Sequence, residues 1–334
     1  MRIIRQCHNL DDEARGAVVA VGNFDGVHLG HRKVIAEAAT IAREHGTKLG
    51  VITFEPHPRS FFENSGQAFR LTPFRAKIEA IESLGVDILY VLRFNKNLAN
   101  LSADSFISNI LVNDLKVRHI VIGYDFAFGF QREGDIKFLR KKALLGNYKV
   151  TSVDKAQDEN GPFSASAARR YIEAGDVQSA EAILGRPWQV LGRIKYGDQI
   201  GRTLGFPTAN LSVVRILRPK PGIYAVWAAL KTEGIQKEKK LEWRPAAAYV
   251  GRRPTFDKSE ELLEVHLLDF NCTIYGQLLR VAFVSHIRDD EKFENLDDLR
   301  KQMYLDCQRA RAILANLSPP SNKLYINTTL KNNK

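Results

Sequence analysis

The chain has 334 residues, and at roughly 150 residues per domain that length suggests two domains. Hydrophobic residues make up 44% and charged residues 26%, globular proportions that exclude wholesale disorder and a fibrous architecture. The 49 Lys and Arg exceed the 38 Asp and Glu by 11, a balance that favours polyanionic partners and leaves nucleic acid, a membrane surface and small phosphate-rich molecules all open.

The first residues, MRIIRQCHNLDDEARG, carry Asp11, Asp12 and Glu13 where a secretory signal would be apolar. From Ala17 the pattern alternates between short apolar runs and amphipathic stretches. AVVAVG (17–22) reads as a buried strand, and Val34, Ile35, Ala38, Ile41 and Ala42 form one face of a helix over 31–45 that ends at Gly46. LGVITF (49–54), VDILYVLRF (86–94), VRHIVIGYDF (117–126) and YKVTSVD (148–154) predict further strands, with helices near 73–84, 102–113 and 135–145. This order predicts an α/β domain with a doubly wound parallel sheet. Two short helices follow in SASAARRYIEAG and DVQSAEAILG, the second capped by Asp176 and closed by Gly185.

A domain boundary is expected at 186, dividing the chain into 1–186, 187–318 and a flexible tail over 319–334. Beyond it WQVLGRI, PGIYAVWAAL, WRPAAAYVG, LLEVHLLDF and LLRVAFVSHI alternate between Gly- and Pro-bearing turns, the pattern of a small antiparallel barrel. KTEGIQKEKK (231–240) reads as a solvated hairpin tip. A terminal helix then presents Leu296, Leu299, Met303, Ala310, Ile313 and Leu317 on its apolar face and stops before Pro319-Pro320. No apolar run reaches the roughly 18 residues of a membrane span. The cysteines Cys7, Cys272 and Cys307 form no CxxC pair. A reducing cytoplasm is therefore the expected location.

Two segments carry chemistry. Gly22, Phe24, Asp25, Gly26, His28, Gly30 and His31 lie in GNFDGVHLGH, a glycine-rich turn that leads from a strand into a helix N-terminus and so offers backbone N–H groups to phosphate. Two imidazoles three residues apart there can donate hydrogen bonds to oxygens that gain charge as phosphorus becomes five-coordinate. Two alternatives stand beside this: a metal-binding His pair, for which no obvious carboxylate or cysteine partner is present, and structural histidines that cap the helix. The segment is neither GxxxxGKS/T nor GxGxxG. The second segment is GRTLGFPTANL, where Gly201, Gly205 and Pro207 set a tight path suited to nucleotide phosphates. Thr208 and Asn210 point to one side of an extended chain and can converge on a hard cation such as Mg²⁺.

GNFDGVHLGH is similar to the HxGH signature of nucleotidylyltransferases. With TFEPHP (53–58) and GYDFAFG (123–129) it resembles the FMN adenylyltransferase module of bacterial bifunctional riboflavin kinase/FAD synthetases. GRTLGFPTANL, PGIYA, GRRPTF, EVHLLDF and YGQLLRVAFVSHIRDDEKF follow in the order found in riboflavin kinases, so the resemblance spans nearly the whole chain. It implies that riboflavin is phosphorylated by ATP to FMN and ADP in the C-terminal domain. FMN is then adenylylated by ATP to FAD and pyrophosphate in the N-terminal domain, with Mg²⁺ at both sites.

By the same resemblance His28 and His31 hold the ATP phosphates, and Asp125, with Phe126 and Phe128 beside it, contacts nucleotide, metal or flavin. Ser164, Ser166 and Arg169 in FSASAAR match the ISSTxIR phosphate segment, with Ala165 and Ala168 as departures, and Ala127 stands where many members carry a basic or polar residue. Glu264 is the base for the riboflavin 5′-hydroxyl. On an alternating strand Leu263, Val265 and Leu267 face the core, and Glu264, His266 and Leu268 face away. Tyr249 stands where relatives often carry Asn. The implied partners are riboflavin, FMN, FAD, ATP, ADP and pyrophosphate, with neither nucleic acid nor membrane, and the chain is expected to be a monomer or weak oligomer. Two alternatives remain: a riboflavin kinase with a weakened adenylyltransferase site, and a non-enzymatic nucleic-acid-binding or regulatory protein on the same folds.

Overall fold

The computed structural model describes residues 1–63, 68–159, 161–197, 200–212, 216–231, 241–254 and 259–321. The expected hairpin tip, from 232 onward, and the tail from 322 onward lie outside the described residues. Among the described residues the chain divides into two compact units: Met1–Gly66 with Phe74–Phe163, and Gln67–Pro73 with residues 164–321. Division by packing thus falls ahead of residue 186.

Among the described residues, the first unit contains a six-stranded sheet built from β1 (Arg2–Ile4), β2 (Val18–Val21), β3 (Leu49–Glu55), β4 (Ile88–Arg93), β5 (His119–Gly123) and β6 (Lys149–Val153). Its order is β1-β4-β3-β2-β5-β6 and its pairings are parallel. β1 is the strand that the sequence pattern missed, because three residues are too few to show periodicity. Helices α1 (Leu29–Glu44), α2 (Pro58–Phe62), α3 (Phe74–Glu82), α4 (Lys96–Ala99), α5 (Ala103–Ser105) and α6 (Ile136–Ala143) fall between the strands. The helix expected over 102–113 is α5 continued by a π-helical stretch, Phe106–Asp114.

Alternation along the strands explains the layering. Val18, Ala20, Val51 and Val121 pack with Val34, Ile35 and Ala38 of α1 and Ile81 of α3. Val19, Val21, Ile52 and Ile120 turn the other way and pack with Phe106 and Leu111 of the π-helical stretch. A strand such as β2, buried at every position, cannot show a period of two, and burying each such Val or Ile contributes about 1.5–3 kcal/mol.

A small hairpin, β7 (Gln157–Asp158) with β8 (Gly161–Pro162), ends the first unit. In the second, α7 (Ala165–Glu173) and α8 (Val177–Leu184) precede a closed antiparallel barrel. Its strands are β9 (Gln189–Lys195), β10 (Ala209–Ser212), β11 (Gly222–Lys231), β12 (Trp243–Pro254), β13 (Ser259–Leu267) and β14 (Leu278–Arg288), with α9 (Ile200–Thr203) before β10. Residues 67–73 join this unit in part because Trp188 Nε1 donates to the Leu71 carbonyl at 2.9 Å.

The terminal helix α10 (Leu296–Ala315) lies against Ala225, Trp227, Ala247, Ala282 and Val284 through Ala310 and Leu314. Two expectations are corrected here. Leu296 and Leu317 are 62% and 46% exposed, because the apolar stripe continues past the turns that meet the strands. The buried seam instead includes Asp306, held by Arg288 Nη2 at 2.8 Å. Leu268 is buried rather than outward, because β13 stops at Leu267, Leu268 N–H donates to the Pro245 carbonyl, and Asp269 turns the chain with φ 56°.

Candidate active sites

In an open parallel sheet, ligands bind beyond the carboxyl ends of the strands where the winding reverses. The chain leaves β2 toward β3 and later returns to β5 on the other side of β2, so the reversal lies between β2 and β5. The two loops that follow these strands are GNFDGVHLGH and GYDFAFG.

The first loop is held in an unusual backbone. Phe24, Gly26 and Val27 have φ of 50°, 81° and 43°, and left-handed geometry at a β-branched residue persists only where surroundings enforce it. Phe24 and Val27 are buried, Val27 N–H donates to the Phe24 carbonyl, and Arg32 Nε donates to the Val27 carbonyl at 3.3 Å. The turn then delivers His28 as the N-cap of α1, so the helix begins at Leu29 rather than near His31.

His28 Nδ1 accepts from the His31 backbone N–H at 3.3 Å. In a neutral ring this leaves Nε2 as the protonated, donating nitrogen. The two imidazoles stack with centroids 3.6 Å apart, and Phe24 meets His31 edge-on at 5.2 Å. Gly30 is needed for space: a Cβ there would stand 3.0 Å from the His28 ring and 3.0 Å from the Phe163 carbonyl. Asp25 is buried within this turn. Among the described residues no group of three His, Cys, Asp or Glu is placed to hold a metal.

Asp125 lies exposed on the turn after β5, with Phe126 N–H bonded to the Gly123 carbonyl. Phe126 is half-buried and stacks on Phe128 at 5.6 Å. Phe128 itself packs in the core against Phe106 and Phe138, so its ring contributes to packing and Phe126 is the member of the pair nearer the surface. In the second unit Ser164 is the N-cap of α7, its Oγ accepting from Ala167 N–H at 3.2 Å, and Ser166 is exposed in the first turn. Arg169 Nε donates to the Phe69 carbonyl at 2.8 Å, and its guanidinium lies over the Phe69 ring.

The barrel assembles a second constellation on one face. Asn210 of β10 pairs in register with Glu264 of β13, and Glu264 with Tyr249 of β12. Thr208 Oγ1 donates to Glu264 Oε2 at 3.2 Å. The chain reaching Thr208 is shaped by α9 and by Gly205 at φ 89°. Phe206 N–H donates to the Gly201 carbonyl at 2.7 Å, where a Cβ at Gly201 would collide with the Phe206 carbonyl. The His266 ring, at 2.9 Å through Nδ1, holds the Pro207 carbonyl. Gly197 leaves room for the Asn210 amide, which a Cβ there would overlap.

The Tyr249 ring folds over Gly251 in the same way, and its hydroxyl donates to Asp290 Oδ2 at 3.0 Å. Burial, followed by Asp290 and then Glu264, pushes the Tyr249 phenol up to about 12. Thr208, Asn210 and Glu264 present oxygen donors, the set a hard divalent cation prefers.

Sequence patterning gave no role to Asp290, although it lies in the YGQLLRVAFVSHIRDDEKF segment, and missed Lys77, which is 3% exposed on α3. A signal for Lys77 existed. It stands three residues after Phe74 and four before Ile81, a cation on the apolar stripe of an amphipathic helix.

The fold and sites define a class: an α/β nucleotidyl-transfer unit joined to a phosphotransfer barrel, neither carrying a P-loop. A family model for FAD synthetase matches residues 10–167, and one for riboflavin kinase matches residues 184–314. A bifunctional riboflavin kinase/FMN adenylyltransferase of Haemophilus influenzae is 37% identical over 93% of this chain and 99% of its own length. That of Escherichia coli K12 is 36% identical over 96% and 100%, and that of Bacillus subtilis 37% over 93% and 96%. A solved structure described as a macrolide-efflux protein from Streptococcus pneumoniae superposes with a TM-score of 0.83 at 29% identity, covering 95% of this chain and all of that one. Among the described residues no helix is long and apolar enough to cross a membrane. The chain belongs to the bifunctional riboflavin kinase/FMN adenylyltransferase family.

Proposed function

We propose that the chain makes FAD from riboflavin in two ATP-dependent steps, with residues 1–186 as the adenylyltransferase module, 187–318 as the kinase module and 319–334 as a tail. The reading is supported most by the juxtaposition of Thr208, Asn210 and Glu264 on one barrel face.

In the kinase step Glu264 accepts the proton of the riboflavin 5′-hydroxyl as that oxygen attacks the γ-phosphorus of ATP and ADP leaves. Thr208 and Asn210 hold Mg²⁺ with the nucleotide, and Gly201, Gly205 and Pro207 shape the phosphate path. When bound, the cation neutralises charge on the transferring phosphoryl group. Thr208 also orients the Glu264 carboxylate through its hydroxyl.

In the second step a phosphate oxygen of FMN attacks the α-phosphorus of ATP and pyrophosphate departs. Gly22, Phe24, Asp25, Gly26 and Gly30 form the turn that receives the phosphates. His28, donating through Nε2, and His31 stabilise charge on the oxygens in the transition state. Ser164, Ser166 and Arg169 take the outer phosphates, and Asp125 with Phe126 serves the flavin side, Phe128 backing Phe126 from the core. The positive balance of the chain then serves ATP, FMN and pyrophosphate in the cytoplasm, without nucleic acid or membrane, in a monomer or weak oligomer.

A second reading, a kinase with a weak adenylyltransferase site, draws on the engagement of Arg169 with Phe69. Chromatography of flavin products from riboflavin, ATP and Mg²⁺ separates the two: FMN followed by FAD under the first, FMN alone under the second. Neither product would sink both. In the same assay His28→Ala with His31→Ala is expected to accumulate FMN with FAD formation lowered by about 10²–10³ or more. Glu264→Gln is expected to block FMN formation and leave added FMN convertible to FAD. The reverse pattern would exchange the two modules.

A further inference from the structure

Lys77 is an ammonium-bearing side chain in the interior of the first unit, and neither step above uses it. Its Nζ donates to the Asn23 carbonyl at 3.2 Å and to Thr53 Oγ1 at 3.2 Å. Thr53 Oγ1 donates in turn to the same Asn23 carbonyl at 3.2 Å, closing a triangle. Glu55 Oε2 lies 3.7 Å from the ammonium, and the Phe74 ring lies 5.7 Å away.

These partners come from a turn and from the end of a strand. Asn23 opens the turn in which Phe24, Gly26 and Val27 adopt positive φ before His28 caps α1. Thr53 and Glu55 end β3 and lead into Pro56-His57-Pro58, where His57 caps α2 by accepting from Arg59 N–H at 3.1 Å. We propose that Lys77 is a positioning residue of FMN adenylylation, an interior clamp that fixes the turn after β2 to the end of β3 and so sets where His28 and His31 stand.

The physical basis is local. A turn with left-handed non-glycine residues relaxes toward ordinary backbone unless its carbonyls and side chains are held. The carbonyl that Lys77 and Thr53 grip belongs to the residue immediately before the first of them. A displacement of about 1 Å at a donor to the reacting phosphate costs about 10²-fold in rate. Such a loss falls on kcat more than on ground-state affinity, because those hydrogen bonds strengthen only as charge develops. Lys77 never touches substrate; it acts through the histidines.

The inference rests on the assignment of adenylylation to the first unit, and the test keeps the two apart. With the full chain, FAD formation from FMN and FMN formation from riboflavin are measured side by side. The unsubstituted chain must form FAD; if it does not, the assignment and the clamp fall together. Lys77→Met, which keeps the stem and removes the donors, is expected to lower kcat for FAD about tenfold to hundredfold, with KM for ATP changed less than about threefold and FMN formation unchanged. Lys77→Arg, which keeps donors, is expected to recover part of that loss. Should Lys77→Met fail to fold, Thr53→Val carries the decision, because it keeps the lysine and deletes one side of the triangle, and a kcat loss of about threefold to tenfold is expected. FAD kcat within twofold of the unsubstituted chain, an equal loss of FMN formation, or Lys77→Arg no better than Lys77→Met would each overturn the proposal.

Discussion

Cys7, Cys272 and Cys307 have the same side chain and three different environments. Burial, with Asp114 behind it, pushes the Cys7 thiol up to about 11, and burial with Asp306 does the same to Cys307. Cys272 is exposed. Since the thiolate is the reactive form, one thiol is expected to label rapidly with iodoacetamide at pH 7.5, and peptide mapping should find it at Cys272. Fast modification of Cys7 or Cys307 in the folded chain would contradict this burial. Sequence spacing excluded a CxxC pair, but reactivity depends on what surrounds each sulfur. The same division holds for the site. Two imidazoles three apart at a helix start were legible as a motif, whereas their stacking and the acceptor role of His28 Nδ1 follow from backbone angles that no pattern encodes.

At the scale of elements, α10 shows how a polar pair settles the register of an apolar helix. Arg288, at the end of β14, donates to Asp306 through Nε at 3.0 and 3.1 Å and through Nη2 at 2.8 Å, and Gln302 adds a bond at 2.9 Å. Asp306 is 3% exposed. Arg288 keeps Glu291 Oε2 at 3.5 Å and the Asp289 carbonyl at 3.0 Å, so Asp306→Ala, which removes the buried acceptor shared by Arg288 and Gln302, is expected to destabilise the second unit by about 1–3 kcal/mol. A drop in the denaturation midpoint of FMN-forming activity, with the FAD-forming activity less affected, is the measurement. The periodicity of α10 was legible, yet it credited Leu296 and Leu317 with burial they do not have. A 3.6-residue repeat reports which side of a helix is apolar, not how far the strands beneath it extend. β1 and the π-helical stretch escaped for a related reason: pairing with β4 and one extra residue per turn are decisions made by contacts.

For the molecule as a whole, one buried and one half-buried histidine set an acid limit. Burial lowers His119 below the ordinary value of 6.5, helped by His45 and Lys149, and burial also lowers His286. A lowered pKa means that the unfolded chain binds these protons more readily, so the contribution is complete above about pH 6.5 and is lost as pH falls below it. Urea midpoints are expected to be level between pH 7 and 8 and to decline from pH 6.5 to 5.5, with His119→Gln flattening part of that decline. An unchanged slope in the variant would remove His119 from the account. His119 holds Thr151 Oγ1 at 2.8 Å across β5 and β6, so the effect belongs to the parallel sheet of the first unit.

Composition, periodicity and motif order by themselves determined that this is a two-part enzyme-sized chain with a parallel α/β unit before an antiparallel barrel. They also singled out the two segments proposed to handle phosphate, because local turn chemistry and apolar spacing are written in neighbouring residues. Only the folded chain decided that Glu264 stands between Asn210 and Tyr249, that Thr208 bonds its carboxylate, and that Lys77 grips Asn23 and Thr53. Those partners lie tens of residues apart, and strand register and helix packing, not sequence adjacency, bring hydrogen-bonding atoms to within about 3 Å.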